Sequence, residues 1–472
     1  MQENKEKENM LSVPRDMPNK RSVLFITLLG SFLMPFMGSS INIALPSIGS
    51  EFNIDAIVLS WVTLSFLLSV GIFLVPFGRI ADIHGRKKVF TYGMIIYTLG
   101  SVFASIAQTP AVLIGSRFLQ GIGGAMFSAT AIAIITSVFS KEERGKALGI
   151  NVASVYIGLS LGPFIGGIIT QHLGWRYLFI LNIPLCLLTI ALVLWKIKGD
   201  WTEAKGERFD LIGSFIYGLI LIALMMGFSL LPAIAGYGLI IISILGFWLF
   251  IIWETKTENP VLNISIFRGN PVFIFSNIAA LINYSATTGV GFILSLYLQY
   301  IKNLTPQQAG LVLVSQPVIM AIFSPFAGRL SDRIEPRIVA SLGMALTTLG
   351  LFLISLISAG SSLGFIVICL IILGSGFALF SSPNTNAVMS SVEKRFYGVA
   401  SATLGTMRLV GQMFSLGIIT LMFALYLGRV KITPENYPQF LSSARTLFFI
   451  FAIICFAGIF ASLFRGRLRA SS

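Results

Sequence analysis

Charge is scarce in this sequence. Asp, Glu, Lys and Arg make up 11% of its 472 residues, less than half of the roughly 25% carried by a soluble globular chain. So few charges cannot clothe a water-facing surface, which excludes a soluble globular protein. With 55% hydrophobic residues, general disorder is excluded too, because disorder needs low hydrophobicity and high charge density. Histidine is almost missing. Only His84 and His172 occur, and without a His/Cys cluster a transition-metal site is not expected. The three cysteines, Cys186, Cys369 and Cys455, each sit in an apolar run, so a disulfide framework is not expected either. A phosphate-cradling Gly-x-x-x-x-Gly-Lys-Ser/Thr loop is also lacking, which removes an ATP site of that type.

Apolar length is what the chain has in abundance. A helix needs about 20 apolar residues to cross a bilayer. Fourteen candidate runs lie between charged or Pro/Gly breaks, the first opening near residue 22 and the last near 444. Residues 1–21 are polar and charged and are expected to form a disordered tail. The run after them is too long for the apolar core of a signal peptide and lacks a small-residue cleavage site. A formal net charge of +14 could suggest nucleic acid, but the cations lie in short loops between apolar runs rather than as patches on a soluble fold. Of the 33 Lys and Arg, 26 fall on segments sharing a side with the N-terminus and five on the opposite loops. Arg117 and Arg408 lie inside predicted spans. The positive-inside bias therefore places both termini in the cytoplasm, which requires an even number of helices.

A repeat organises those helices. Gly78-Arg79-Ile80-Ala81-Asp82 returns as Gly328-Arg329-Leu330-Ser331-Asp332, 250 residues on, and Gly145 matches Gly398 at 253. Two agreeing offsets point to one duplication, a common plan among polytopic membrane proteins. The offset is long for six helices and fits six plus an inserted pair. The expected fold is therefore an all-α polytopic membrane protein of 14 transmembrane helices, arranged 6+2+6 with pseudo-twofold related halves. Its parts are a six-helix bundle at 22–198, a cytoplasmic linker at 199–209, the inserted pair at 210–254, a second bundle at 271–464 and a basic tail at 465–472.

Several segments resemble the major facilitator superfamily, and within it the fourteen-helix drug:proton antiporters. Gly78-Arg79-Ile80-Ala81-Asp82-Ile83-His84-Gly85-Arg86-Lys87-Lys88 is similar to the signature loop after helix 2. Arg117-Phe118-Leu119-Gln120-Gly121, with Gly123 and Gly124, resembles the arginine motif of helix 4. Gly158-Leu159-Ser160-Leu161-Gly162-Pro163, then Gly166 and Gly167, resembles the helix 5 motif of exporters. Gly174-Trp175-Arg176, Asn182-Ile183-Pro184, Leu296-Tyr297-Leu298-Gln299 and Pro383-Asn384 extend the likeness, which covers residues 22 to 465. Two positions depart from the pattern. Ile83 stands where the loop usually has a basic residue, and Met37 stands where helix 1 often carries an acid, before Asn42-Ile43-Ala44-Leu45-Pro46.

The resemblance and the residues together nominate several sites. Asp82, with Gly78, Arg79, Gly85, Arg86 and Lys87, is expected to latch the cytoplasmic side, accepting bonds from a neighbouring helix start or from an arginine of the other half. The alternative is that those cations only set topology. Arg329 and Asp332 repeat the pattern. Arg117 with Gln120 and Gly121, and Arg408, are expected to couple ion or substrate movement, because an intramembrane cation usually faces a cavity; for Arg117 the alternative is snorkelling to the interface. Gly158, Gly162 and Gly166, with Pro163 and Gly167, read as a close-packed hinge between halves. Asn42, Asn151, Tyr156, Asn283, Tyr284, Gln316, Asn384, Asn386 and Gln412 are polar enough to line a midplane cavity or to glue helices together.

Acids in the spans are missing from this picture. Asp210 and Glu254 come nearest the membrane, and Asp82, Glu51 and Asp55 sit near interfaces. The expected function is a secondary active transporter that exports amphiphilic drugs or metabolites by alternating access, driven by a proton or other ion gradient. The alternative on the same fold is a carrier of organic anions or lipid-like metabolites, favoured by Met37. An enzyme is not expected, since no catalytic set clusters at one face. Expected partners are the lipid bilayer and a small amphiphilic substrate, with no nucleic acid and no cofactor. The expected setting is a functional monomer in the plasma membrane.

Overall fold

The computed structural model describes residues 19–466 except 203, 205, 258, 259, 261–266, 268 and 394–396. Most of the two expected tails, 1–18 and 467–472, lies outside the described residues. The remainder is helical: α1 Lys20–Phe52, α2 Ala56–His84, α3 Arg86–Ser105, α4 Pro110–Val138, α5 Lys141–His172, α6 Arg176–Lys196, α7 Leu211–Leu230 and α8 Ile234–Lys256. The second half continues with α9 Pro271–Ile301, whose last turn is a π helix, and α10 Pro306–Arg333. It closes with α11 Pro336–Ile354, α12 Leu363–Ser390, α13 Tyr397–Tyr426 and α14 Tyr437–Phe464.

Local chemistry sets the helix starts. The Asn19 side chain caps α1, Asp55 accepts from Val58 N at 2.8 Å to cap α2, and Asp210 does the same for α7 through Gly213 N. Thr305 and Gln308 form a capping box across the first turn of α10, with Pro306 at its first position, which satisfies two orphan amides reciprocally. Among the described residues, thirteen helices are long and apolar enough to cross a membrane. The exception is α3, which opens on Arg86-Lys87-Lys88 and carries several hydroxyl residues. It is held by close approach instead: an added Cβ on Gly93 would lie 2.9 Å from Gly123 O, and one on Gly100 would lie 2.8 Å from Gln120 N.

Packing repeats between the halves. In the first, α1 runs along α5, α3 along α4 and α6, and α2 along α4. The second reproduces each pairing as α9 along α13, α11 along α12 and α14, and α10 along α12. Between the halves α7 and α8 pack on each other, and Ser243 Oγ donates to Ile220 O at 3.0 Å. One face of α7 rests on α2 and α13. The outer face of α8, with Ile241, Ile244, Leu245 and Trp248 more than half exposed, suits lipid rather than water.

The halves are pinned to each other at the end remote from the termini. Gln299 Nε2 donates to Ile43 O at 2.9 Å, Ser295 Oγ to Asn42 O at 2.6 Å, and Ser60 shares a 2.8 Å hydrogen bond with Thr420. His172 and Gln307 add a 3.2 Å contact between α5 and α10. Nearer mid-membrane, Ser324 Oγ meets the Tyr156 hydroxyl at 3.4 Å.

Candidate functional site

On α1, Met34, Gly38 and Asn42 recur at four-residue intervals and so share one face. Met34 takes a contact from Ser128 of α4, and Asn42 meets α9 of the other half. Gly38 between them has nothing within 4 Å of an added Cβ. It therefore looks into the open space between the halves. A cluster of aromatic and apolar groups bridges the two halves. Tyr156 of α5 packs with Met320 of α10 and Phe377 of α12, with Tyr284 of α9 against them. Tyr284 and Phe377 meet edge to face, centroids 5.3 Å apart.

Arg408 of α13 completes this cluster. Its guanidinium donates to Thr385 Oγ1 at 2.5 Å, and its carbon lies 5.6 Å from the Tyr284 ring centroid. The buried Nε has no hydrogen-bond partner. Among the described residues no carboxylate comes within 4 Å of it. Arg408 is thus a half-buried cation with a buried donor left unpaired and an aromatic neighbour. Thr385 was not among the expected residues, although the polar string Ser381 to Asn386 inside an apolar span is the signal that marks it.

Arg117 is placed elsewhere. It is fully buried inside the first half, where Nε donates to Val62 O at 3.2 Å and Nη1 to Gln120 Oε1 at 2.6 Å. Gln120 passes the network to Ser101 at 2.8 Å, and the Phe66 ring lies 4.3 Å from the guanidinium carbon. This geometry joins α2, α3 and α4, and complete burial is incompatible with snorkelling. Gly121 allows the approach, since a Cβ there would stand 2.6 Å from Phe66 O. Arg117 and Arg408 are thus not brought together.

Met37 also points away from the cleft. It is fully buried with its sulfur 2.9 Å from Asn182 Nδ2 of α6. The helix 1 departure therefore does not by itself explain what the cleft binds. Of the acids nearest the spans, Glu51 pairs with Arg176 at 2.6 Å and accepts from Trp175 Nε1 at 2.7 Å. Asp55 is a helix cap. Asp210 accepts from Trp253 Nε1 at 2.9 Å as well as from Gly213 N. Glu254 is buried on α8 beside Gly213.

The signature loop is ordered around Asp82. Oδ1 accepts from Arg86 Nε at 2.9 Å and Nη2 at 2.8 Å, and Arg86 Nη1 reaches Ser137 Oγ of α4 at 2.6 Å. Asp82 is thereby bound to the first residue of α3. Gly85 sits at φ +119, where L side chains are strained. The second copy is built differently, because Pro336 stands where Arg86 would recur. Asp332 accepts instead from Asn386 Nδ2 at 3.4 Å, and the same amide donates to Ser331 at 3.1 Å. Arg329 is exposed nearby. Asn386 therefore belongs to the second signature loop.

The other expected residues divide by location. An added Cβ on Gly158 would lie 2.7 Å from Phe32 O, one on Gly162 2.8 Å from Phe36 O, and one on Gly166 2.8 Å from Ser40 Cβ. The glycine stripe thus packs α5 onto α1 within one half. Only Gly167, against Pro306 O at 2.6 Å, and Pro163, against Gly310, meet the other half. Asn151 accepts from Ser31 at 2.7 Å, again within the first half. Asn384 is taken by Ser276 O and by the guanidinium of Arg465, at 3.1 Å each. Asn283 is fully buried with its amide unpartnered, and Gln316 lies half-buried on α10. Burial lowers the Arg465 pKa to about 10, which leaves it charged at neutral pH.

Two helical halves of matching internal packing, meeting across the cluster of Tyr156, Met320 and Phe377, make up a polytopic membrane protein. The sequence profile of the Major Facilitator Superfamily matches the chain twice, over residues 27–275 and 276–472, and the chain belongs to that family. Its relatives are transporters rather than enzymes. It is 30% identical over 448 residues to the riboflavin transporter RibZ of Clostridioides difficile, covering 95% of this chain and 98% of that protein. It is 29% identical over 411 residues to the multidrug resistance protein Stp of Mycobacterium tuberculosis, covering 86% and 76%. A solved structure of a bacterial homologue of the lysosomal transporter Spinster superposes with a TM-score of 0.67 at 16% identity, covering 95% and 97%. That likeness concerns the fold alone.

Proposed function

We propose that this protein is a secondary transporter of aromatic amphiphiles that are neutral or anionic, carried through the cleft between its halves by alternating access. The observation that carries this is Arg408, a cleft cation with an unused donor beside Tyr284 and without a carboxylate partner among the described residues. Tyr156, Phe377 and Met320 supply stacking and apolar surface, which suits flat ring systems. A relative named for riboflavin and another for multidrug resistance fit such a substrate class. The termini end is assigned to the cytoplasm on loop charge, in the plasma membrane. The bonds at the remote end then correspond to a state closed on the outside. Export is the favoured direction, on the exporter-like pattern of α5. An ion gradient, most simply protons, supplies the energy, and the protein acts as a monomer.

Flux in energised vesicles tests this. Anionic, neutral and cationic fluorescent amphiphiles are compared with and without a collapser of the proton gradient. Gradient-dependent movement of the anionic and neutral probes is expected. Selective transport of cations would contradict the assignment of Arg408.

A further inference from the structure

The signature loop is not self-sufficient. Its helix, α3, begins with three cations, Arg86, Lys87 and Lys88, at an end where the helix dipole disfavours positive charge. Gly85, in the capping position, has no side chain to accept from the first amides. Both deficits are met from the segment that follows α6. Asp200 Oδ1 accepts from Lys87 N at 2.8 Å, and Oδ2 lies 3.4 Å from Lys88 N. A Cβ on Gly85 would stand 2.9 Å from that same Oδ1, so glycine there also makes room for the borrowed cap.

Further bonds fasten the same segment to the loop. Arg86 N donates to Trp201 O at 3.0 Å, and Ala204 N donates to Asp82 O at 3.0 Å. Lys87 Nζ reaches Ile197 O at 2.5 Å, and Arg79 pairs with Glu207. Of the loop's cations, Arg79 and Lys87 are thus spent on the linker and Arg86 on Asp82 and α4. We propose that Asp200 and Glu207 are positioning residues of the gate. They hold the signature loop in a preformed shape, so that closing the termini end does not have to order it each time. A rigid-body rocking of the halves leaves these bonds intact, because loop and linker both belong to the first half. The linker is then a working part of the gate rather than a tether to α7. This rests on the alternating-access reading, yet the labelling readout of its test needs no substrate.

The full chain is reconstituted with one added reporter cysteine at Gly149, two turns from Tyr156 on the same face of α5 and open to an added side chain, the three native cysteines being buried. Thiol labelling of this site reports the open fraction at the termini end. Asp200→Ala is expected to raise the labelling rate and to lower the maximal transport rate about fivefold to tenfold, the range set by loss of a charge-assisted cap. The substrate KM is expected to stay within about twofold, because the cleft is untouched. Asp200→Glu should recover most of the rate, and Asp200→Asn should fall between. If Asp200→Ala does not reach the membrane, Glu207→Gln serves in its place, with a smaller change of the same sign. Unchanged labelling alongside a normal rate overturns the proposal. So does an equal loss in the Ala, Asn and Glu variants with unchanged labelling, which would mark Asp200 as a fold-stabilising residue only. Labelling that shifts while no probe is transported would keep this inference and sink the substrate class.

Discussion

Arg408 of α13 and Tyr284 of α9 face each other within the second half, guanidinium carbon 5.6 Å from ring centroid, whereas Arg117 lies 4.3 Å from the Phe66 ring, fully buried inside the first half. A planar cation stacked near a ring recognises flat, electron-rich groups in a way a point charge does not. Arg408→Lys is therefore expected to weaken binding of an anionic aromatic substrate by about tenfold or more, despite keeping the charge. Equilibrium binding to purified protein checks this, and an unaltered affinity would remove Arg408 from the site.

Arg117 makes the contrasting case. Its partners are Val62 O, Gln120 and the Phe66 ring, all within one half. Arg117→Leu would leave the buried Gln120 Oε1 without its donor, at about 1–3 kcal/mol. Loss of thermal stability and of membrane level is expected. In a folded Arg117→Lys variant, substrate affinity should remain within about twofold of the parent. A large affinity loss there would bring Arg117 into the binding cleft after all.

Two glycines separate packing from transport. Gly166→Leu would drive a side chain into Ser40 of α1, and overpacking of this kind costs about 1–3 kcal/mol or more. The expected result is poor accumulation in the membrane. Gly38→Leu has room on the cleft side, so the protein should accumulate normally while transport of bulky substrates is blocked. Full transport by Gly38→Leu would mean that the face of Met34, Gly38 and Asn42 does not line the path.

Asp82 holds the signature loop through two bonds to Arg86. Asp82→Asn keeps the size and part of the hydrogen bonding but removes the charge. It is expected to leave membrane level unchanged and to reduce transport by about tenfold or more, a loss typical for a charge-assisted pair. Normal transport by a well-expressed Asp82→Asn protein would refute the gate.

Much of the fold was legible because bilayer length and loop charge are coarse, strong signals. The start of α14 shows the limit: the apolar run begins near 444, but the helix begins at Tyr437, since its first turns carry Gln439, Ser442 and Ser443. The start of α3 was hidden in the same way by three cations whose compensation comes from Asp200, more than a hundred residues on. Site residues were less legible, because a polar residue in a span looks alike whether it faces a cleft or a neighbouring helix. Asn384 is spent on Arg465, Asn151 on Ser31 and Asn386 on Asp332. Tyr156 and Arg408 both neighbour Tyr284. The glycine stripe was expected to pack between the halves, and Gly158, Gly162 and Gly166 instead lie against α1 of the same half.

The most direct test of the substrate assignment compares two ligands that share one aromatic ring system, one ending in a carboxylate and the other in an amine. Their binding is measured at equilibrium on purified parent protein and on Arg408→Gln. The parent should prefer the carboxylate, and Arg408→Gln should abolish that preference through a loss of about tenfold or more for the carboxylate alone. A parent that prefers the amine, or an Arg408→Gln protein with the preference intact, would contradict it.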